Sequence, residues 1–283
     1  MSQIETIIWN IVGGILAGLV LLGLERFHKF FRARRFRSFF GCFGSEYYIV
    51  YGRYVVPQDV ELPVEKPKIK RPRCETKGIG LGPVTSGAQA KSLSYLVGAF
   101  RKEAYISPVI SAHSEVDEKM EISFISIGGF GNFKTVDLLE NAANVFVDFE
   151  RSPLRIVRKK DGKTVVDANT VRNFDYGIIV KIHPASDPTQ TWICCAGFGV
   201  WATSGSAYYL ANKWREIKKW AGYGEFGCVV KTVAGSDDST IVIGRYRTKP
   251  HIFREPIVWL NWLIRRIEIM EVEKPKNGSG LLK

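Results

Sequence analysis

Histidine is scarce in this chain, and paired cysteine is missing from it. Its four histidines stand far apart, at positions 28, 113, 183 and 251, so no local spacing suits a metal centre. The five cysteines (Cys42, Cys74, Cys194, Cys195 and Cys228) include no Cys-x-x-Cys and no Cys/His cluster. That excludes a zinc motif and a paired disulfide framework, and such usage fits a reducing compartment. Cys194 and Cys195 sit together inside an apolar run, the pattern of buried strand residues. A phosphate-binding loop of the GxxxxGK[ST] type is also missing: in GGFGNFKT (128–135) the position before Lys134 is Phe133. A ring-bearing β-carbon there obstructs the amides that would wrap a phosphate, which excludes a Walker-type ATPase. No Ser-His-Asp order with a nucleophile elbow occurs either. Finally, no Lys or Arg stands before Arg26.

What is present is a chain of 283 residues, 46% hydrophobic and 24% charged, which suits one large domain or two small ones and not a disordered chain. The formal charge is +12, a balance that favours anionic surfaces or anionic small molecules and says nothing about fold.

Residues 7–24, IIWNIVGGILAGLVLLGL, carry no charge. Eighteen residues at about 1.5 Å each span roughly 27 Å, just enough for a hydrocarbon layer. Arg26, Lys29, Arg32, Arg34, Arg35 and Arg37 follow it. The expectation is an uncleaved signal anchor over residues 1–25: a single-pass membrane protein whose C-terminal domain is cytoplasmic. Phenylalanines alternate with those six bases over 26–45, so that segment reads as a basic aromatic stretch on anionic headgroups of a lipid membrane. Gly14 and Gly18 form a GxxxG, and homodimerisation through that face is a further expectation.

Beyond this basic aromatic collar, EYYIVYGRYVV opens a strand, and five prolines from Pro57 to Pro83 mark a linker, so 46–84 reads as strand plus Pro-rich connection. Residues 85–250 read as the globular α/β domain. Its helices are expected at SGAQAKSLSYLVGAFRK, TVDLLENAA and SGSAYYLANKWREIKKW, between strands such as EISFISI, NVFVDF, YGIIVKI and TWICCA. Asp161-Gly162 marks a hairpin. The whole reads as an α/β fold: a Rossmann-like mixed sheet flanked by helices, preceded by one N-terminal transmembrane helix. Residues 251–283 read as an apolar helix with Trp259 and Trp262, then a tail.

Two stretches carry the functional argument. GGFGNFKT and AGFGVWAT (196–203) share Gly-Phe-Gly, an aromatic and a Thr at equal offsets, and each lies between a strand and a helix. A Gly-rich turn in that position exposes backbone amides at a helix N-terminus, which favours an anion. The candidate binding residues are Gly128, Gly129, Gly131, Asn132 and Thr135 in the first loop, with Gly197, Gly199, Thr203 and Ser204 in the second. Gly197-x-Gly199-x-x-Ala202 fits the dinucleotide fingerprint, and Asp148 lies at about the distance from the first loop of a ribose-binding acid. Each loop holds part of that fingerprint and neither holds all of it.

These elements, with DYGIIVKI between them, resemble Rossmann-type nucleotide-sensing or nucleoside-processing domains of bacterial conflict (antiphage defence) systems, which are often fused to membrane helices. The resemblance covers residues 121–215, lacks the Glu that nucleoside-transferring relatives carry after the second loop, and implies a nucleotide-like ligand and a bacterial source. Three function classes stay open. The first is a sensor or effector binding a nucleotide-like or other phosphorylated ligand at both Gly loops. The second is a tethered nucleotide or nucleoside hydrolase using Asp148 or Asp175. The third is an adaptor with no small-molecule site. Nucleic acid ranks last as a partner, because the excess charge lies beside the apolar run and no nucleic-acid motif occurs.

Overall fold

The computed structural model describes residues 3–42, 47–52, 86–113, 115–116, 122–167 and 173–248. The Pro-rich connection of 57–83 and the expected helix and tail of 251–283 lie outside the described residues.

Helix α1 (Gln3–Phe40) has two halves of different character. The side chains from Val12 to Leu24 are exposed almost without exception. Glu25 and Arg26 close this apolar half of the helix. Among the described residues no helix is long and apolar enough to cross a membrane. The expected transmembrane anchor, and with it the single-pass membrane location, is corrected accordingly. An added Cβ at Gly14 or Gly18 meets no atom within 4 Å.

The second half of α1 enters the fold. Phe36, Phe39 and Phe40 are fully buried, with Phe36 packed edge-on against Phe100 and Trp214 at centroid distances of 5.0 and 5.3 Å. Two of the collar arginines are spent internally. Arg32 ion-pairs with Glu103 at 2.9 Å and donates to the Lys102 carbonyl at 2.6 Å, and Arg37 donates to the Ala104 carbonyl at 2.9 Å. These carbonyls close α2 (Gly87–Ala104), so the arginines satisfy groups that a helix C-terminus leaves unpaired. Lys29 pairs with Glu25 one turn back.

The sheet has seven strands. In chain order the elements are β1 (Tyr48–Tyr51), α2, β2 (Val109–Ala112), β3 (Phe124–Ile127), α3 (Phe133–Glu140), β4 (Val147–Arg151), β5 (Leu154–Arg158) and β6 (Lys163–Asp167). Then come β7 (Phe174–Ile182), β8 (Trp192–Gly197), α4 (Val200–Ala221), β9 (Phe226–Val233) and β10 (Ser236–Arg247). The main sheet runs β10-β9-β7-β8-β3-β1-β2. It is parallel over β2, β1, β3 and β8 and antiparallel over β8, β7, β9 and β10. This is a mixed α/β sheet.

The hairpin expected at Asp161-Gly162 is not what makes the sheet mixed. The Asp161-Gly162 hairpin lies outside the main sheet and joins β4 in a separate antiparallel meander, β4-β5-β6. The antiparallel part of the main sheet comes from β7, β9 and β10 instead.

Alternation along each strand divides the interior into two cores. One faces α1, α2 and α4 and takes Ile125, Ile179, Cys195 and Cys228. The other faces α3 and the meander and takes Phe124, Ile178, Val180 and Cys194. The sheet is thus a shared floor between two layers. A lysine lies among these apolar side chains: Lys181 is fully buried, and its Nζ donates to the carbonyls of Phe39 and Tyr223, both at 2.7 Å. Burial pushes its ammonium down to about 7, with Glu225 and Cys42 acting in the opposite sense.

Candidate functional site

β3 and β8 are parallel neighbours, so the loops that leave their carboxyl ends emerge side by side. That placement brings together two stretches 68 residues apart in sequence.

The first loop is shaped by its own side chains. Gly128 adopts φ +106°, a conformation that a side chain disfavours, and its amide donates to the Cys195 carbonyl at 3.0 Å. Asn132 caps α3. Its Oδ1 accepts from the Lys134 amide at 3.1 Å, while Nδ2 donates to the carbonyls of Ile127 (2.9 Å) and Val50 (3.1 Å). Thr135 Oγ1 donates to the Gly128 carbonyl at 2.8 Å. Both side chains are buried, and both hold the loop in place rather than facing a ligand. The amides of Gly129 and Gly131 donate to no acceptor among the described residues.

The second loop is held by a residue from another strand. Asp175 lies just before the β7 segment paired with β8, the register being Gly177 opposite Gly197. Its Oδ1 accepts from the Gly199 amide at 3.1 Å and from the Tyr176 amide at 2.9 Å, and its Oδ2 accepts from the Ala202 amide at 2.8 Å. Gly199 supplies no cap of its own to α4; the Asp175 carboxylate does so from across the sheet. Gly197 allows α4 this close approach: a Cβ there would stand 2.6 Å from the Thr203 amide nitrogen and 2.7 Å from the Ala202 Cβ. Thr203 Oγ1 donates to the Gly199 carbonyl at 3.0 Å. Ser204 turns inward, donating to Asp237 Oδ1 at 2.6 Å, and takes no part in the site.

The loops touch. A Cβ on Gly129 would lie 3.7 Å from the Gly197 carbonyl oxygen. Above them is a cleft of about 250 Å³ whose lining includes Gly128, Gly129, Gly131, Gly197, Gly199 and Thr203. Ser86, Ala88 and Gln89 at the start of α2, Val200 at the start of α4, and Phe130, Phe149, Phe198 and Leu154 also line it. The three phenylalanines form a continuous apolar wall, with centroids 5.7 Å apart for Phe130–Phe149 and 5.5 Å for Phe149–Phe198.

No protein-family model, curated protein or solved structure matches the chain. The functional reading therefore rests on this geometry.

Asp148 lies elsewhere. It belongs to the meander rather than to a strand parallel to β3, and it pairs with Lys159 at 3.7 Å. Burial raises its carboxyl above the usual range, opposed by the Phe149 amide and the Lys159 ammonium. It is outside the cleft lining, as are Asn132, Thr135 and Ser204.

Sequence reasoning missed the contribution of α2. Its signal was present as Ser86-x-x-Gln89, a capping box in which Ser86 Oγ accepts from the Gln89 amide and Gln89 Oε1 accepts from the Ser86 amide. The capping role of Asp175 left no local signal, since its partners are 24 and 27 residues away. Chemically, the described lining offers amides, two hydroxyls, one carboxamide and aromatic faces, and among the described residues no titratable side chain. Such a surface suits binding and orientation.

Proposed function

We propose that this cleft binds a small nucleotide-like ligand and that the domain works as a sensor or effector module switched by it. One observation carries the reading: the two Gly-Phe-Gly loops and the N-termini of α2 and α4 converge on one cleft at the carboxyl ends of parallel strands. That is where open α/β sheets take their ligands, and Rossmann-like nucleotide sites use the same combination of Gly turn and helix start. The phenylalanine wall suits the flat face of a base, and the Gly129 and Gly131 amides suit a phosphate or another acceptor. The resemblance of residues 121–215 to nucleotide-sensing domains points the same way.

Size narrows the class. About 250 Å³ is below the usual range of roughly 300–1,000 Å³ for small-molecule sites. A nucleoside or its monophosphate fits, with any larger moiety lying outside. Binding is favoured over hydrolysis because, among the described residues, the lining holds no acid, base or activated nucleophile.

The test is a thermal-shift titration of the chain with nucleosides, nucleotides, cyclic nucleotides, NAD and ADP-ribose. Saturable stabilisation that follows mass action is the expected result. Gly129→Val, which places its side chain between the loops where a Cβ has ordinary contact distance, should cut that affinity at least tenfold without unfolding the protein. A folded protein that none of these compounds stabilises would sink the reading.

A further inference from the structure

The N-terminus of α4 is an anion site that the protein has already filled. Three backbone amides, from Tyr176, Gly199 and Ala202, converge on one carboxylate at 2.8–3.1 Å. This is the arrangement by which a Gly-rich loop and helix start hold a phosphate, with Asp175 standing where the phosphate oxygens would be. The carboxylate is fixed from both sides. β7 and β8 are paired over six residues, and a Cβ on Gly199 would come within 2.7 Å of Asp175 Oδ2, so backbone lies directly on the group. Asp175 is not itself part of the cleft lining but lies directly behind Gly199, which is, at 3.1 Å from its amide, and no Lys or Arg occurs among the described lining residues. Lys134, the one base in the first loop, is buried and directed to Asp137 at 3.4 Å.

We propose that Asp175 is a charge filter, confining the cleft to ligands that present an uncharged group at the second loop and carry at most one phosphate, placed on the first. The inference rests on the ligand-site reading above and names its substrate class: nucleosides and nucleoside monophosphates, with polyphosphates and dinucleotides rejected. Two loops built for anions and facing one cleft would otherwise suit a pyrophosphate bridging them. With Asp175 in place, a second negative charge at the α4 end lies just beyond the Gly199 backbone from a carboxylate, in a partly desolvated site. Repulsion of that kind lowers affinity on the order of a hundredfold. The field of the helix start, which would repay the anion, is already neutralised.

The deciding experiment titrates the full chain, by calorimetry, with the four ribonucleosides, their 5′-monophosphates and their 5′-triphosphates. The wild type should bind its preferred nucleoside or monophosphate at least tenfold tighter than the matching triphosphate. Asp175→Asn keeps an oxygen acceptor for the α4 amides and removes the charge. It should shift the ratio of triphosphate to nucleoside affinity at least tenfold toward the triphosphate, whatever the change in nucleoside affinity itself. If the wild type binds the triphosphate as tightly as the nucleoside, the filter is overturned and the ligand site stands. The filter is likewise overturned if Asp175→Asn leaves the ratio of triphosphate to nucleoside affinity unchanged while the nucleoside still binds. If neither folded protein binds any of the twelve compounds, both the site and the filter fall. Should Asp175→Asn fail to fold, Asp175→Ser takes its place in the same comparison, beside the wild-type ratio.

Discussion

Lys181 shows how much a single buried residue can set. Its neutral amine has two N–H groups, and the structure gives it two carbonyls, from Phe39 and Tyr223. It thereby ties the end of α1 to the turn after α4. The cost appears in its proton affinity: burial pushes the group down to about 7 from an ordinary 10.5. Between those values the unfolded chain binds a proton that the folded chain does not. Stability therefore rises with pH across that window, by up to about 1.4 kcal/mol per pH unit. A second effect closes the window from above. Burial pushes the thiols of Cys42, Cys194 and Cys228 up to about 12 from 9.0, so above pH 9 the unfolded state loses protons that the folded state keeps. Stability then falls. Urea midpoints should climb from pH 7 to 9 and turn over near there. In Lys181→Met the climb should vanish while the fall remains, and an equal climb in the variant would remove Lys181 as its source.

At the scale of elements, α1 separates two kinds of phenylalanine that sequence alone presents as one series. Phe36 is fully buried among Phe40, Phe100 and Trp214, whereas Phe30 is 61% exposed. Phe36→Ala should cost about 3–5 kcal/mol, the usual cost of emptying an aromatic site in a core. Phe30→Ala should stay within about 0.5 kcal/mol. Chemical denaturation of the two variants tests this directly, and equal effects would mean that the end of α1 does not belong to the core. The same helix shows what was legible in the sequence. Strands and helices with strong periodicity, and both Gly-Phe-Gly turns, could be read from local pattern, because turn chemistry and amphipathic spacing are local properties. Partner choice is not local. The run NVFVDF reads as a strand either way. Nothing within it says that it pairs with the following hairpin instead of lying parallel to β3, and with that choice Asp148 leaves the cleft. The alternating Phe and Arg of 26–40 suggested a lipid surface; only the fold shows that Arg32 and Arg37 close the end of α2. Asp175 was legible as a strand-edge acid, and its role as a cap required the β7–β8 register.

Across the whole molecule, the sheet is the one element that both cores share, and this makes the two layers a single cooperative unit. Its strands join residues far apart in the chain, such as Phe124 with Trp192 and Tyr48 with Val109, so neither layer keeps its floor if the other is lost. Two adjacent thiols report on the layers separately. Cys194 points into the core beneath α3 and the meander, and Cys195 points into the core beneath α1, α2 and α4. Both are fully buried, and burial raises both thiols far enough to suppress the thiolate in the folded state. Neither should react with an alkylating reagent until the protein opens. A sheet shared in this way predicts that Cys194 and Cys195 become reactive at the same urea concentration, matching the midpoint seen by circular dichroism. Pulse labelling of Cys194→Ala and Cys195→Ala, each retaining one thiol of the pair, resolves the two faces by mass spectrometry. If Cys194 labels at clearly lower urea than Cys195, the meander layer opens as an independent unit. The cleft would then be assembled between parts of different stability, since Phe149 and Leu154 come from the meander while both Gly loops come from the sheet.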